Sequence, residues 1–211
     1  MNRSIGEIES QVKTAARGAG YANGLAEEAA KAVGWLAGFD GSKACAAFAS
    51  LLSERAAGDI AEFDAAFVGN ALHAKFEPLC PITAGAAISD WADGAEDPAL
   101  ETGAVAHPVL LVPFVAAIAR SHTLTLSLEA DGFRAVTNGT ALSTRGAAPA
   151  RATSVVIQPA SNVLDPLDKQ TRADIPGALW SVLKRFAHHT YAPSTEESRR
   201  LGAGSGETDQ D

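Results

Sequence analysis

The sequence predicts an α+β protein, in which an N-terminal helical bundle leads into an antiparallel β-meander closed by a C-terminal amphipathic helix. Two observations carry that prediction. Residues 123–158 hold the clearest sheet signal: Leu124, Leu126 and Leu128 alternate with Thr123, Thr125, Ser127 and Glu129, the period of a half-buried strand. Asp131-Gly132 and Asn138-Gly139 follow, dipeptides suited to the positive backbone angles of tight hairpins, and residues 153–158 supply another strand. Before residue 70, by contrast, apolar residues recur at helical spacing between capping and stop signals.

The elements read in order as follows. Ser4 and Glu7 form an S-x-x-E capping box, after which Ile5, Ile8, Val12 and Ala15 line one face of a first helix over 5–17, stopped by Gly18 and Gly20. Asn23 or Gly24 is expected to cap a second helix with Leu25, Ala29, Ala32 and Leu36 inward, and Ser42 a third with Phe48, Leu51 and Leu52 inward and Gly58 at its end. Asp59 and Glu62 then suggest a short fourth helix burying Ile60, Phe63 and Phe67, which completes a helical part over 1–69. Residues 82–91 fit either helix or strand. Pro113 divides the apolar run 109–119, giving either a strand followed by a helix or a kinked helix. Asp174 is expected to cap the last helix, with Pro176 in its first turn and Leu179, Val182, Leu183 and Phe186 inward. The α+β part thus spans 70–193, and a polar, glycine- and acid-rich tail occupies 194–211 of a single domain.

Composition bounds the function. The 211 residues carry 46% hydrophobic content, enough for a core without staples, and the two cysteines form no disulfide framework. No secretory signal or bilayer-length apolar run is present, so a soluble cytoplasmic protein is expected. The formal net charge is −8, and residues 61–107 hold eight carboxylates against only Lys75. Such a surface repels phosphate backbones and anionic lipids, so neither nucleic acid nor membrane is the expected partner.

Candidate chemistry is sparse. His73, His107 and His122 are isolated, and no H-E-x-x-H, C-x-x-C or acidic calcium loop occurs, so no metal site is expected; no cofactor is implied. Cys80 and His188 are the candidate catalytic residues. A catalytic thiol at Cys80 needs a histidine brought to it by the fold, the alternative being a small buried hydrophobe; a place at a helix C-terminus, favoured by the dipole, explains His188 more simply. The more specific feature is AARGAGYANGLAEEAAKAVGW, where Gly18, Gly20 and Gly24 permit close backbone approach and Arg17, Tyr21 and Asn23 offer donors to an anion such as a carboxylate. A plain helix hairpin with Arg17 paired to Glu27 or Glu28 is the alternative. Arg199, in the tail, is expected to join Arg17 if the tail folds back over the body, binding a ligand carboxylate or Asp209 and Asp211.

The blocks AARGAGYANGLAEEAAKAVGWL, LCPITAGAAISD and TYAPSTEESRRLGAGSGETDQD resemble an uncharacterised bacterial family, a domain of unknown function common in marine alphaproteobacteria. The resemblance implies that the tail belongs to the protein proper, and it implies no activity. GYANGLAEEAAKAV is also similar to the helical start of malate/lactate-type dehydrogenases, but the dinucleotide-binding pattern is missing, so that similarity implies only a convergent helix hairpin. Two functional classes remain: a small-molecule enzyme or ligand-binding protein for an anionic metabolite of catabolism, or a non-catalytic accessory subunit that docks on a metabolic enzyme or forms a homo-oligomer through an apolar helix face.

Overall fold

A computed structural model describes residues 1–60, 63–95 and 98–190. The fold is α+β: helices first, then a mixed sheet backed by helices. A short strand β1 (Asn2–Ser4) leads directly into α1 (Ile5–Gly18), whose capping box is complete: the Ser4 hydroxyl accepts from Glu7 N at 3.2 Å while Glu7 Oε2 accepts from Ser4 N at 2.8 Å. Ile8, Val12, Ala15 and Ala16 form its buried face. Helices α2 (Asn23–Asp40) and α3 (Ser42–Ala57) follow, and Gly58 ends α3 in the left-handed conformation, φ 84°. Two expected caps are displaced by one residue. Ala22 and Gly41 hold the N-cap positions of α2 and α3, where neither has a side-chain acceptor, and Asn23 and Ser42 are the first helical residues.

The expected fourth helix is absent among the described residues, and a hairpin of β2 (Ala65–Val68) and β3 (Ala71–Ala74) stands there instead. Gly69-Asn70 supplies a turn, and β3 is held by pairing with the strand Leu100–Thr102 on its other side, which outweighs the weak helical spacing of Ile60, Phe63 and Phe67. Ile60 is buried, while Phe63 reaches the surface. The ambiguous stretches resolve as helix: α4 is Pro81–Ala92, and a 3-10 turn at Pro108–Leu111 runs into α5 (Val112–Ser121), with Pro113 in the first turn where its missing N–H costs nothing.

Among the described residues seven strands make the main sheet, in the order β2-β3-β4-β10-β6-β7-β8, with β4 (Leu100–Thr102), β6 (Leu126–Ala130), β7 (Phe133–Thr137), β8 (Leu142–Arg145) and β10 (Val155–Pro159). The expected meander is its β6-β7-β8 part, and β10 pairs antiparallel on the far side of β6. The β3–β4 pair is parallel, so the sheet is mixed. Asp131-Gly132 makes a two-residue turn with φ 43° and 84°. Asn138-Gly139 lies instead in a four-residue loop, in which Asn138 Oδ1 accepts from Thr140 N and Ala141 N. Leu126, Leu128 and Ala130 face inward beneath α5.

Two small ribbons complete the fold: β5 (Val105–Ala106) with β9 (Arg151–Ala152), and β1 with β11 (Arg172–Asp174). The last helix among the described residues, α6 (Gly177–His188), starts after an N-cap at Pro176 rather than Asp174. Asp174 is held in β11 opposite Asn2, so strand pairing rather than capping takes it. Helix α6 crosses α1 so closely that a Cβ on Gly18 would collide with the carbonyl of Phe186. The tail and its expected closure over the body lie outside the described residues.

Candidate functional site

The residues singled out for ligand binding take different surroundings. Arg17 is exposed at the end of α1 and forms no ion pair among the described residues; Lys13 takes Glu27 at 2.8 Å and Lys31 takes Glu28 at 2.9 Å. Asn23 is exposed at the start of α2. Tyr21 turns inward, its ring under the Arg55 guanidinium at 4.6 Å and its hydroxyl 3.2 Å from Cys80 Sγ. Burial, with the Cys80 thiol beside it, pushes the Tyr21 phenol well above its ordinary range, against the opposing pull of Arg55. The partner that the fold brings to Cys80 is therefore a protonated phenol, and Cys80 itself is buried at the N-cap of α4. His188 is the exposed last residue of α6, while its neighbour His189 places Nδ1 3.3 Å from the Gly18 carbonyl. Arg199 lies outside the described residues.

Chemically convergent groups meet elsewhere, around a histidine that sequence spacing leaves isolated. His107 follows β5 and precedes Pro108. Its backbone is left-handed, φ 45°, and is held by His107 N donating to Ala150 O at 2.7 Å and Leu110 N donating to His107 O at 2.9 Å. A left-handed non-glycine residue stores strain that the surrounding contacts must hold. The β5–β9 ribbon sets Ala106 opposite Arg151, so His107 and Arg151 arrive at the same end of the ribbon. Glu54, from the last turns of α3, meets both: Oε1 lies 2.8 Å from His107 Nε2 and Oε2 lies 3.5 Å from Arg151 Nη2.

An ionised carboxylate only accepts, so this contact assigns the proton to Nε2 and leaves the lone pair of the neutral ring on Nδ1. Nδ1 has no protein hydrogen bond among the described residues. The imidazole is 7% exposed, and what it borders is a cavity of about 430 Å³ between α2, α3, the 3-10 turn and β8. Leu36, Val109, Val112, Phe133 and Leu142 give the cavity apolar walls. Ser50, Thr144 and the Asp40–Lys43 pair, 3.0 Å apart, supply its other polar groups. Among the described residues no cluster of three or more His, Cys, Asp or Glu could hold a metal ion. No helix among them is long and apolar enough to cross a membrane.

Residues 3–74 match a family model described as protein of unknown function (DUF3726). No curated protein and no solved structure matches the chain. The DUF3726 match takes in α1, α2, α3 and the β2–β3 hairpin, and with them Tyr21 and Glu54. Cys80, His107 and Arg151 lie beyond it, as do the other two sequence blocks that suggested a family. The His107 arrangement is therefore built from one residue of the segment that matches DUF3726, Glu54, and two of the remainder, His107 and Arg151. Its partners are 53 residues apart in one case and 97 in the other, so no local motif announces them. The one local signal is His107-Pro108 beside a predicted apolar run, which spacing rules for metal ligands pass over.

Proposed function

We propose that the protein is a small-molecule enzyme or ligand-binding protein for an anionic metabolite, with the ligand seated in the cavity beside His107. The observation that carries this reading is a nearly buried imidazole whose tautomer is set by Glu54 and whose other nitrogen has no protein partner among the described residues. A cavity of a few hundred cubic ångströms with apolar walls and few polar groups is the usual form of a small-molecule site. In it the Nδ1 lone pair would take a hydrogen bond or a proton from the ligand, and the Glu54 carboxylate would stabilise the imidazolium formed. The Lys43 ammonium at the cavity wall, paired with Asp40 in the free protein, would have to leave that pair to meet the ligand's negative charge. An acid or base in a partly enclosed recess is worth more than the same group in water, because fewer solvent dipoles compete with it.

A thermal-shift screen of carboxylate metabolites tests the reading, since any molecule that binds only the folded state raises its melting temperature. His107→Gln should abolish the response to a hit. Arg17→Lys should leave it intact. A hit whose shift survives His107→Gln undiminished rules out this cavity as its seat.

A second reading, a non-catalytic subunit docking on another protein, draws support from Val68 and Phe76, which are 66% and 52% exposed on and just after the β2–β3 hairpin at the sheet edge. Exposed apolar side chains on an edge strand are a recognised pairing surface. Light scattering that finds a single-chain mass, unchanged by Val68→Lys, would remove self-association from that reading.

A further inference from the structure

Apart from the His107 cavity, and sharing no lining residue with it, lies a second, smaller recess of about 280 Å³, walled by α2, α4 and α5. Its floor is aromatic. Phe114 is buried at the start of α5, and its ring lies where a Cβ on Gly85 would sit, so α4 is held close to it only because that position is glycine. Trp35, half-buried on α2, is braced by Phe39 with ring centroids 4.8 Å apart.

Over this floor stands Arg120 from the last turn of α5. The loop after β7 presses on its stem: Gly139 has φ 92°, and a Cβ there would run into Arg120 and the Ala116 carbonyl. No L side chain fits in that conformation and space, so the close approach that fixes the foot of Arg120 depends on glycine. The guanidinium itself makes no hydrogen bond or ion pair among the described residues, in a chain with 25 carboxylate side chains against 17 lysines and arginines.

The other polar groups of the recess are already committed. Lys31 holds Glu28 at 2.9 Å, and the Ser89 hydroxyl donates to the Gly85 carbonyl at 2.9 Å. A phosphate, which needs several donors around its oxygens, finds one fork here. A carboxylate needs only one, and the planar guanidinium matches it bidentately. The space, at roughly 30 Å³ per water-sized volume, takes a molecule of about ten heavy atoms.

We infer that this recess binds a small aromatic or branched monocarboxylate, its apolar body on Trp35 and Phe114 and its carboxylate on the Arg120 guanidinium. The site is separate from the His107 cavity and does not depend on the reading given to it.

Isothermal titration of the full chain with phenylacetate, phenylacetamide and inorganic phosphate tests it, on wild type, Arg120→Gln and His107→Gln. Arg120 is exposed, so its replacement leaves the fold intact, and circular dichroism verifies that. Phenylacetate should bind wild type and His107→Gln alike. Its affinity should fall about tenfold or more in Arg120→Gln, and phenylacetamide should show a comparable deficit on wild type. Phosphate should not compete. The inference is overturned if phenylacetate fails to bind at about 10 mM, or if Arg120→Gln binds it as wild type does. Equal affinity for acid and amide, displacement by phosphate, or loss of binding in His107→Gln would each overturn it too.

Discussion

Glu7 shows how much one side chain does at the amino terminus of this fold. Hydrogen bonds from the Ser4 backbone and hydroxyl, then the Arg3 guanidinium, hold its carboxyl down at about 2 against an ordinary 4.5. A carboxyl depressed in the folded state contributes stability that is present above about pH 4.5 and is lost as pH falls toward 2. Glu7→Gln keeps an acceptor for Ser4 N but cannot titrate. Urea denaturation of the two proteins at stepped pH should therefore show a wild-type advantage at neutral pH that shrinks between 4.5 and 2; an advantage flat with pH would refute the assignment. Cys45 shows the opposite direction, its thiol pushed up to about 12 by burial against α3's neighbours, which keeps it a neutral core atom at physiological pH. Tyr21 and Cys80 are a third case: the hydroxyl that sequence reading offers to a ligand is spent inside the core.

At the scale of elements, glycines decide which helices can touch. Gly18 ends α1, and at that point the α6 backbone passes at Phe186 with no room for a methyl group. The same residue read from sequence as freedom for a ligand is, in the fold, clearance for a helix. Gly18→Ala should destabilise the protein by about 2 kcal/mol or more, the cost of overpacking a tight crossing, and should do so without changing helix content at low temperature. A chemical denaturation midpoint equal to wild type would show that α6 can shift outward freely. The turn Asp131-Gly132 adds a tether of another kind, since Asp131 accepts from both Thr153 N and Thr153 Oγ1, at 2.9 and 2.8 Å, and so ties the β6–β7 hairpin to the start of β10.

For the molecule as a whole, the start of the chain is tied to the segment that precedes α6: the Met1 ammonium donates to the Ile175 carbonyl at 2.8 Å, and β1 pairs with β11. The segment that matches DUF3726 thus lacks its own closure. Its α1 packs against α6, and β3 finds its second neighbour in β4. A fragment of residues 1–75 should accordingly retain helical tendency but melt without a cooperative transition. A sharp two-state melt of that fragment, seen by circular dichroism, would show that the segment folds alone.

What the sequence by itself determined is what short-range physics controls. The α+β class, the capping box at Ser4, the Gly58 stop, the β6–β7 turn and the inward set Leu126, Leu128 follow from periodicity and backbone angle, which act over a few residues. The exchange of a fourth helix for the β2–β3 hairpin belongs to tertiary structure, because β3 is stabilised by β4, some thirty residues on. So does Asp174, which cap chemistry would place on a helix and which Asn2 draws into a strand. The pairing of His107 with Glu54, and of Tyr21 with Cys80, could be decided only there. Each joins residues more than fifty positions apart, and nothing in the spacing of either partner records a distance set by how helices and sheet stack.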